Sequence, residues 1–183
     1  MARFRGAIVR PPSWNLGDGL STASLGRPDV GLALEQHRRY CEALERCGLS
    51  VLRLPSDERF PDATFVEDTC VLTPHRAILA NPGAPSRHGE VAAIEGTVAN
   101  IFSGAIDRIV PPATLEGGDV CEAGERYLIG ISGRTNEEGA RQLSLLLSAG
   151  GLRSEVIDIR GIPDILHLKS DLAHLGGGRL LVT

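Results

Sequence analysis

The chain has 183 residues, a length at which one domain buries about two thirds of its unfolded surface and needs no cofactor to supply its core. Hydrophobic residues at 42% and charged residues at 23% exclude a disordered chain, while 22 Gly and 11 Pro imply many turns. A net charge of −4, with Lys and Arg scattered along the sequence, leaves no footprint for nucleic acid and tilts weakly toward a cationic ligand.

The N-terminal MARFRGAIVRPP carries too short an apolar stretch for a signal sequence, and no run approaches membrane-spanning length. No membrane partner is expected. Cys41, Cys47, Cys70 and Cys121 show neither the close pairing of a zinc site nor the density of a disulfide scaffold, which fits a cytoplasmic protein.

In chain order, Arg5-GAIVRPP reads as a strand and residues 28 to 47 as a helix. Pro28 suits its first turn, Leu34, Tyr40, Cys41 and Leu44 supply apolar positions, and Gly48 stops it before the strand LSVLRL. Three stretches then share one plan: Asp68-TCVLTPHRAILANPG, Asp119-VCEAGERYLIGISG and Asp171-LAHLGGGRLLVT. In each, a short strand enters a polar or Gly-containing turn, and Arg76, Arg126 or Arg179 opens an apolar return strand.

A helix follows each of the first two hairpins, with Val91, Ile94, Val98 and Ile101 on one face and Ala140, Leu143, Leu146 and Leu147 on the other helix's face. Thr135 and Glu138 have capping-box spacing, and Gly150-Gly151 supplies the stop. The strand-like segments DRIVPP and SEVIDI come next. The anchoring aspartates lie 51 and 52 residues apart, which places the unit among repeat architectures.

Such units bury little alone and stack on neighbours, so open units at both ends imply an incomplete ring. The expected fold is α/β, a pseudo-symmetric propeller of strand-strand-helix-strand units in one domain over residues 1–183. An open three-layer sheet covered by a partner chain is the alternative. Exposed edges predict a homodimer or aggregation.

The repeats diverge just before each anchor, giving FVED, LEGGD and LHLKSD. Equivalent repeat positions converge, so Glu67, Asp68, Glu116 and His167 are expected to share a pocket that favours a cation and offers a general base. Arg87 and Arg134, at matching points in the cycle, present forks suited to a carboxylate. The deduced ligand is cationic at one end and anionic at the other, as an arginine-like amino acid is.

Several of these segments, DGLSTASLGRPD, LPSDERFPDATFVED, PGAPSRHGE, LEGGDV, GRTNEEGAR and LHLKS, together resemble the dimethylarginine dimethylaminohydrolases in order and spacing. The resemblance covers essentially the whole chain and implies a five-bladed, pentein-like α/β propeller. It implies that Asp68 and Glu116 hold the guanidinium nitrogens with Glu67 nearby, and that His167 shuttles protons with Glu116 as its catalytic partner. It further assigns Asp62 and the backbone of Leu20 to the amino-acid end, and Arg87 and Arg134 to the ligand carboxylate or neighbouring polar atoms. Leu20 would belong to a lid over GDGLSTASLG.

In that family a cysteine thiolate attacks the guanidinium carbon, an amine leaves, and water releases citrulline from a thiouronium. No metal or cofactor is required. The family's nucleophile has no match in this span, and Cys70 and Cys121 read as small hydrophobes in hairpin strands. Three rivals remain: a non-catalytic span that binds arginine-like ligands, a related arginine deiminase-type enzyme acting on arginine itself, and a metal-dependent hydrolase using His167, Asp171 and His174. Asp119 and Asp171 read as turn or hairpin stabilisers.

Overall fold

A computed structural model describes residues 4–21 and 26–183 of the chain; residues 22–25 of the expected lid lie outside the described residues. The chain divides into two compact units, one ending at Val66 and one running from Glu67 to Thr183.

In the first unit, β1 (Gly6–Val9) and β2 (Ser50–Arg53) pair in parallel, joined through helix α1 (Val30–Arg46). Parallel neighbours require such a crossover. Helix α1 begins one residue beyond Asp29, whose side chain accepts the Leu32 N–H at 2.9 Å. Pro28 therefore precedes the cap and does not occupy the first turn, because Asp29 satisfies the free amide better than a proline that only removes one. Gly48, at φ +84°, ends the helix as expected. Cys41 is buried, but Tyr40 is 56% exposed and contributes little to the apolar face.

The second unit repeats one motif. Strands β3 (Cys70–Leu72) and β4 (Ala77–Leu79) form an antiparallel hairpin, helix α2 (His88–Ile101) follows, and β5 (Ile106–Arg108) pairs parallel to β4. The pattern recurs as β6 (Val120–Glu122), β7 (Arg126–Ile131), α3 (Glu137–Ala149) and β8 (Arg153–Asp158). A third hairpin, β9 (Leu172–Gly176) with β10 (Arg179–Val182), follows a single helical turn, α4 (Leu168–Asp171). Val71, Ile78, Leu115, Ile129, Leu143 and Leu147 belong to one continuous core, so neighbouring motifs bury each other's apolar faces.

Helix α3 corrects the expected cap. Its N-cap is Asn136, whose Oδ1 accepts the N–H groups of Gly139 at 2.8 Å and Thr114 at 3.0 Å. Glu138 turns instead to Arg141 and Gln142, and Thr135 is buried one position earlier with its hydroxyl accepting the Glu116 N–H. Asn136 wins the cap because it satisfies two backbone amides at once. At the other end the left-handed residue is Gly151, at φ +74°. No helix among the described residues is long and apolar enough to cross a membrane.

Candidate active site

Each repeat places its anchoring aspartate at the end of a short helical turn, immediately ahead of a hairpin. Asp68 lies in the 3-10 turn Val66–Thr69, Asp119 closes the turn Gly117–Asp119, and Asp171 closes α4. The turn draws the residues just before each hairpin together inside the second unit. One oxygen or nitrogen each from Asp68, Glu116 and His167 lie within 4.8 Å of one another.

Glu116 is the N-cap of its turn and is fully buried. Its Oε2 accepts a hydrogen bond from His167 Nε2 at 2.9 Å, since a carboxylate can only accept and the imidazole nitrogen must carry the proton. Glu116 Oε1 is buried and accepts no hydrogen bond among the described residues; Arg134 Nη1 stands 3.6 Å away. Asp68 Oδ1 accepts the Gly118 N–H at 2.8 Å, and Oδ2 accepts Arg87 Nη1–H at 2.7 Å.

The two glycines of LEGGD are steric requirements. A Cβ at Gly117 would lie 2.0 Å from the Glu67 carbonyl oxygen, and one at Gly118 would lie 2.7 Å from Asp68 Oδ1 and 2.8 Å from the His167 ring. Only an unsubstituted backbone lets Asp68, Glu116 and His167 approach so closely.

Arg87 is buried, with its guanidinium bonded to both Glu90 oxygens and to Asp68, and with Nη1 3.5 Å from Glu116 Oε2. Burial lowers its pKa, but the bonds to Glu90 and Asp68 outweigh that and hold it above the ordinary value. Its fork is thus engaged with carboxylates of the protein. Arg134 retains 20% of its side-chain surface. Three carboxylates (Asp68, Glu90 and Glu116) face two guanidinium groups (Arg87 and Arg134), so the cluster carries one negative charge when the His167 ring is neutral and none when it is charged.

Burial pulls the pKa of His167 down, yet its bond to Glu116 and the charges of Asp68, Asp119 and Glu116 push it above the ordinary 6.5. The site therefore holds a proton on a nitrogen aimed at a carboxylate, an arrangement fit for acid/base chemistry near neutral pH. Glu67 is not among the donor atoms that lie within 4.8 Å of one another; its side chain is 66% exposed and pairs with Lys169 Nζ at 2.6 Å.

In the first unit, the Leu20 N–H donates to both Asp62 oxygens at 3.1 Å, and a Cβ at Gly19 would lie 2.4 Å from Asp62 Oδ1. The buried Asp62 carboxylate thereby fixes the backbone at Leu20.

Among the described residues, the donors close enough to share an ion are Asp68, Glu116 and His167. His167, Asp171 and His174 do not converge, because α4 is a helical turn and His174 lies beyond it on β9. Arg87 Nη1 lies 2.7 Å from Asp68 Oδ2 and 3.5 Å from Glu116 Oε2, so both carboxylates already face a cation of the protein.

Neither hairpin cysteine has the environment of a nucleophile. Burial pushes the Cys70 thiol up to about 12 and raises that of Cys121. Their sulfurs face the carbonyls of Val71 and Glu122.

Sequence reasoning overlooked Glu90, although it stands one helical turn from Arg87 within the motif PGAPSRHGE. It also overlooked the Lys169 partner of Glu67 and the contacts of Asp119 described below.

The α/β repeat delivers two buried carboxylates, Asp68 and Glu116, and the His167 imidazole to one point, the arrangement of a site able to hold a small cationic group and move a proton. The family model for arginine deiminase matches residues 58–175. The dimethylarginine dimethylaminohydrolase of Pseudomonas aeruginosa is 45% identical over 97% of this chain and 69% of its own length; that of Streptomyces coelicolor is 37% identical over 96% and 67%. The structure of the Pseudomonas protein, as a Cys-to-Ser mutant complexed with citrulline, superimposes with a TM-score of 0.94 over 98% of this chain and 69% of that one, at 45% identity. The N-terminal domain of ArgZ, a cyanobacterial arginine dihydrolase, matches with a TM-score of 0.83 over 96% of this chain and 65% of that one; at 18% identity this shows the α/β fold alone. The chain belongs to the arginine deiminase family, among its dimethylarginine dimethylaminohydrolases.

Proposed function

We propose that this span is the guanidinium-binding and acid/base portion of an enzyme that hydrolyses Nω-methylated arginine, asymmetric dimethylarginine or monomethylarginine, to citrulline and dimethylamine or methylamine. The observation that carries the reading is the buried Glu116 carboxylate, with Oε2 bonded to His167 and Oε1 accepting no hydrogen bond among the described residues. A guanidinium N–H satisfies that oxygen, and Asp68 stands close enough to share the charge. Localising the guanidinium charge on carboxylates, with a proton held on His167 for the leaving amine, lowers the barrier to attack at the central carbon.

Attack itself needs a thiolate, forming a thiouronium that water cleaves. None of Cys41, Cys47, Cys70 and Cys121 is assigned that role, and no cofactor is invoked. Arg134, with its partly open side chain, is the better candidate for the ligand carboxylate; Arg87 acts by holding Asp68 and Glu116. The assignment of Asp62 and Leu20 to the amino-acid end, the location of Glu67 near the guanidinium, the propeller architecture and the cytoplasmic setting rest on the sequence resemblance.

The test combines binding and turnover on one sample. Asymmetric dimethylarginine is expected to shift the ring resonances of His167, with no citrulline and no thiouronium adduct on the four cysteines by intact mass. An unmoved His167 would overturn the substrate assignment. Citrulline formation, or an adduct on any of the four, would overturn the division between this span and the nucleophile.

A further inference from the structure

We propose that Asp119 is a positioning residue that holds His167, Glu116 and Arg134 in working register through four backbone amides. It is the aspartate of LEGGD, fully buried, and the reaction assigned above gives it no role. Its Oδ1 accepts the N–H of Leu168, the residue after His167, at 3.0 Å, and its Oδ2 accepts Ser132 Oγ–H at 2.7 Å.

The direction of these bonds gives the carboxylate its importance. A carboxylate only accepts, so the Ser132 hydroxyl proton points inward, and its lone pairs turn outward to backbone amides. Ser132 Oγ accepts the N–H groups of Arg134 at 2.9 Å and Thr135 at 3.2 Å, and Thr135 Oγ1 accepts the Glu116 N–H at 3.1 Å. Arg134 is thus held by its own amide, Glu116 through Thr135, whose amide Ser132 holds, and His167 through the amide of its neighbour.

The preceding repeat shows the same device: the Asp68 carboxylate accepts the Gly118 N–H, two residues beyond Glu116. An anchoring aspartate in one repeat therefore fixes the backbone beside the chemical residue of the next. There is no room to fill the space differently, since a Cβ at Gly130 would lie 3.2 Å from Asp119 Oδ1 and 2.9 Å from Leu168 Cβ.

An amide in place of the carboxylate keeps the shape but reverses the polarity. Its NH2 would donate toward a serine oxygen whose lone pairs already serve two amides, leaving that proton or one of those amides unpaired. It would also remove one of the negative charges that raise the His167 pKa.

The purpose of the register rests on the methylarginine reading, but its existence can be tested without any ligand. Asp119→Asn, compared with wild type by NMR titration of the histidine rings, is expected to lower the His167 pKa and shift the Leu168, Arg134 and Glu116 amides. Asp171→Asn, the same change at the third anchor, should leave His167 unmoved. A folded Asp119→Asn protein with the wild-type His167 titration would overturn the proposal, even with reduced thermal stability. Should Asp119→Asn not fold, the wild-type chain decides: the Leu168 and Arg134 amides must follow the titration of the Asp119 carboxyl carbon, and amides indifferent to it would overturn the proposal. If methylarginine binds wild type, its affinity for a folded Asp119→Asn protein should fall about tenfold. Failure of wild type to bind it would count against the substrate reading and leave the titration test intact.

Discussion

A methyl group at Gly118 has nowhere to go, because Asp68 Oδ1 and the His167 ring both lie under 3 Å from where its carbon would stand. Gly118→Ala is therefore expected to lose about 1–3 kcal/mol of stability, in the range of overpacked cores, with His167 forced off Glu116. Urea unfolding of the two proteins measures the first effect, and the His167 ring shifts report the second. His167 makes a separate prediction through its protonation. Its folded-state pKa is raised above 6.5, so the charged ring stabilises the native state most fully below that value, and the contribution disappears as pH rises through the folded-state pKa. Wild type should therefore exceed His167→Gln in stability by the widest margin in mild acid, and the gap should narrow toward alkaline pH. A gap that widens with pH would show that the imidazole is buried neutral.

At the scale of elements, the helices were legible because their apolar residues recur every three or four positions, and the hairpins because an Arg after a polar turn precedes an apolar run. Their ends were less so. Thr135-x-x-Glu138 fits a capping box, yet Asn136-x-x-Gly139 also places a polar side chain three residues ahead of a free amide, and sequence does not show that Thr114 needs Asn136 as well. Asn136→Ala is expected to cost about 1–2 kcal/mol, whereas Glu138→Ala, which loses surface pairs, should cost less than about 0.5 kcal/mol. Thermal melts of the two variants separate these readings, and equal losses would favour the capping box. The site shows the same contrast. Asp68, Glu116 and His167 were legible because each lies at, or within four residues of, an anchoring aspartate, in stretches that the repeat brings together. The inward contacts of Asp119 were not, because its partners Ser132 and Leu168 lie 13 and 49 residues away and become neighbours only when the repeats stack. Arg87 and Glu90 have helical spacing, but spacing does not distinguish a buried pair from a solvated one.

For the molecule as a whole, composition set limits more than it assigned a role. The third hairpin leaves Leu181 and Val182 exposed by 50% and 66% on β10, whose sheet among the described residues has two strands where the other hairpins have three. Such an edge favours pairing between copies. Sedimentation velocity is expected to show concentration-dependent association that Val182→Lys weakens; a monomer at all concentrations would contradict this.

The central claim, that buried carboxylates beside His167 receive a guanidinium, is tested most directly by calorimetric titration of the chain and of Glu116→Gln with asymmetric dimethylarginine. One-site binding to the wild-type chain, weakened about tenfold or more in the variant, is the predicted result. Equal affinity in the two proteins, or no binding to the wild-type chain, would contradict it.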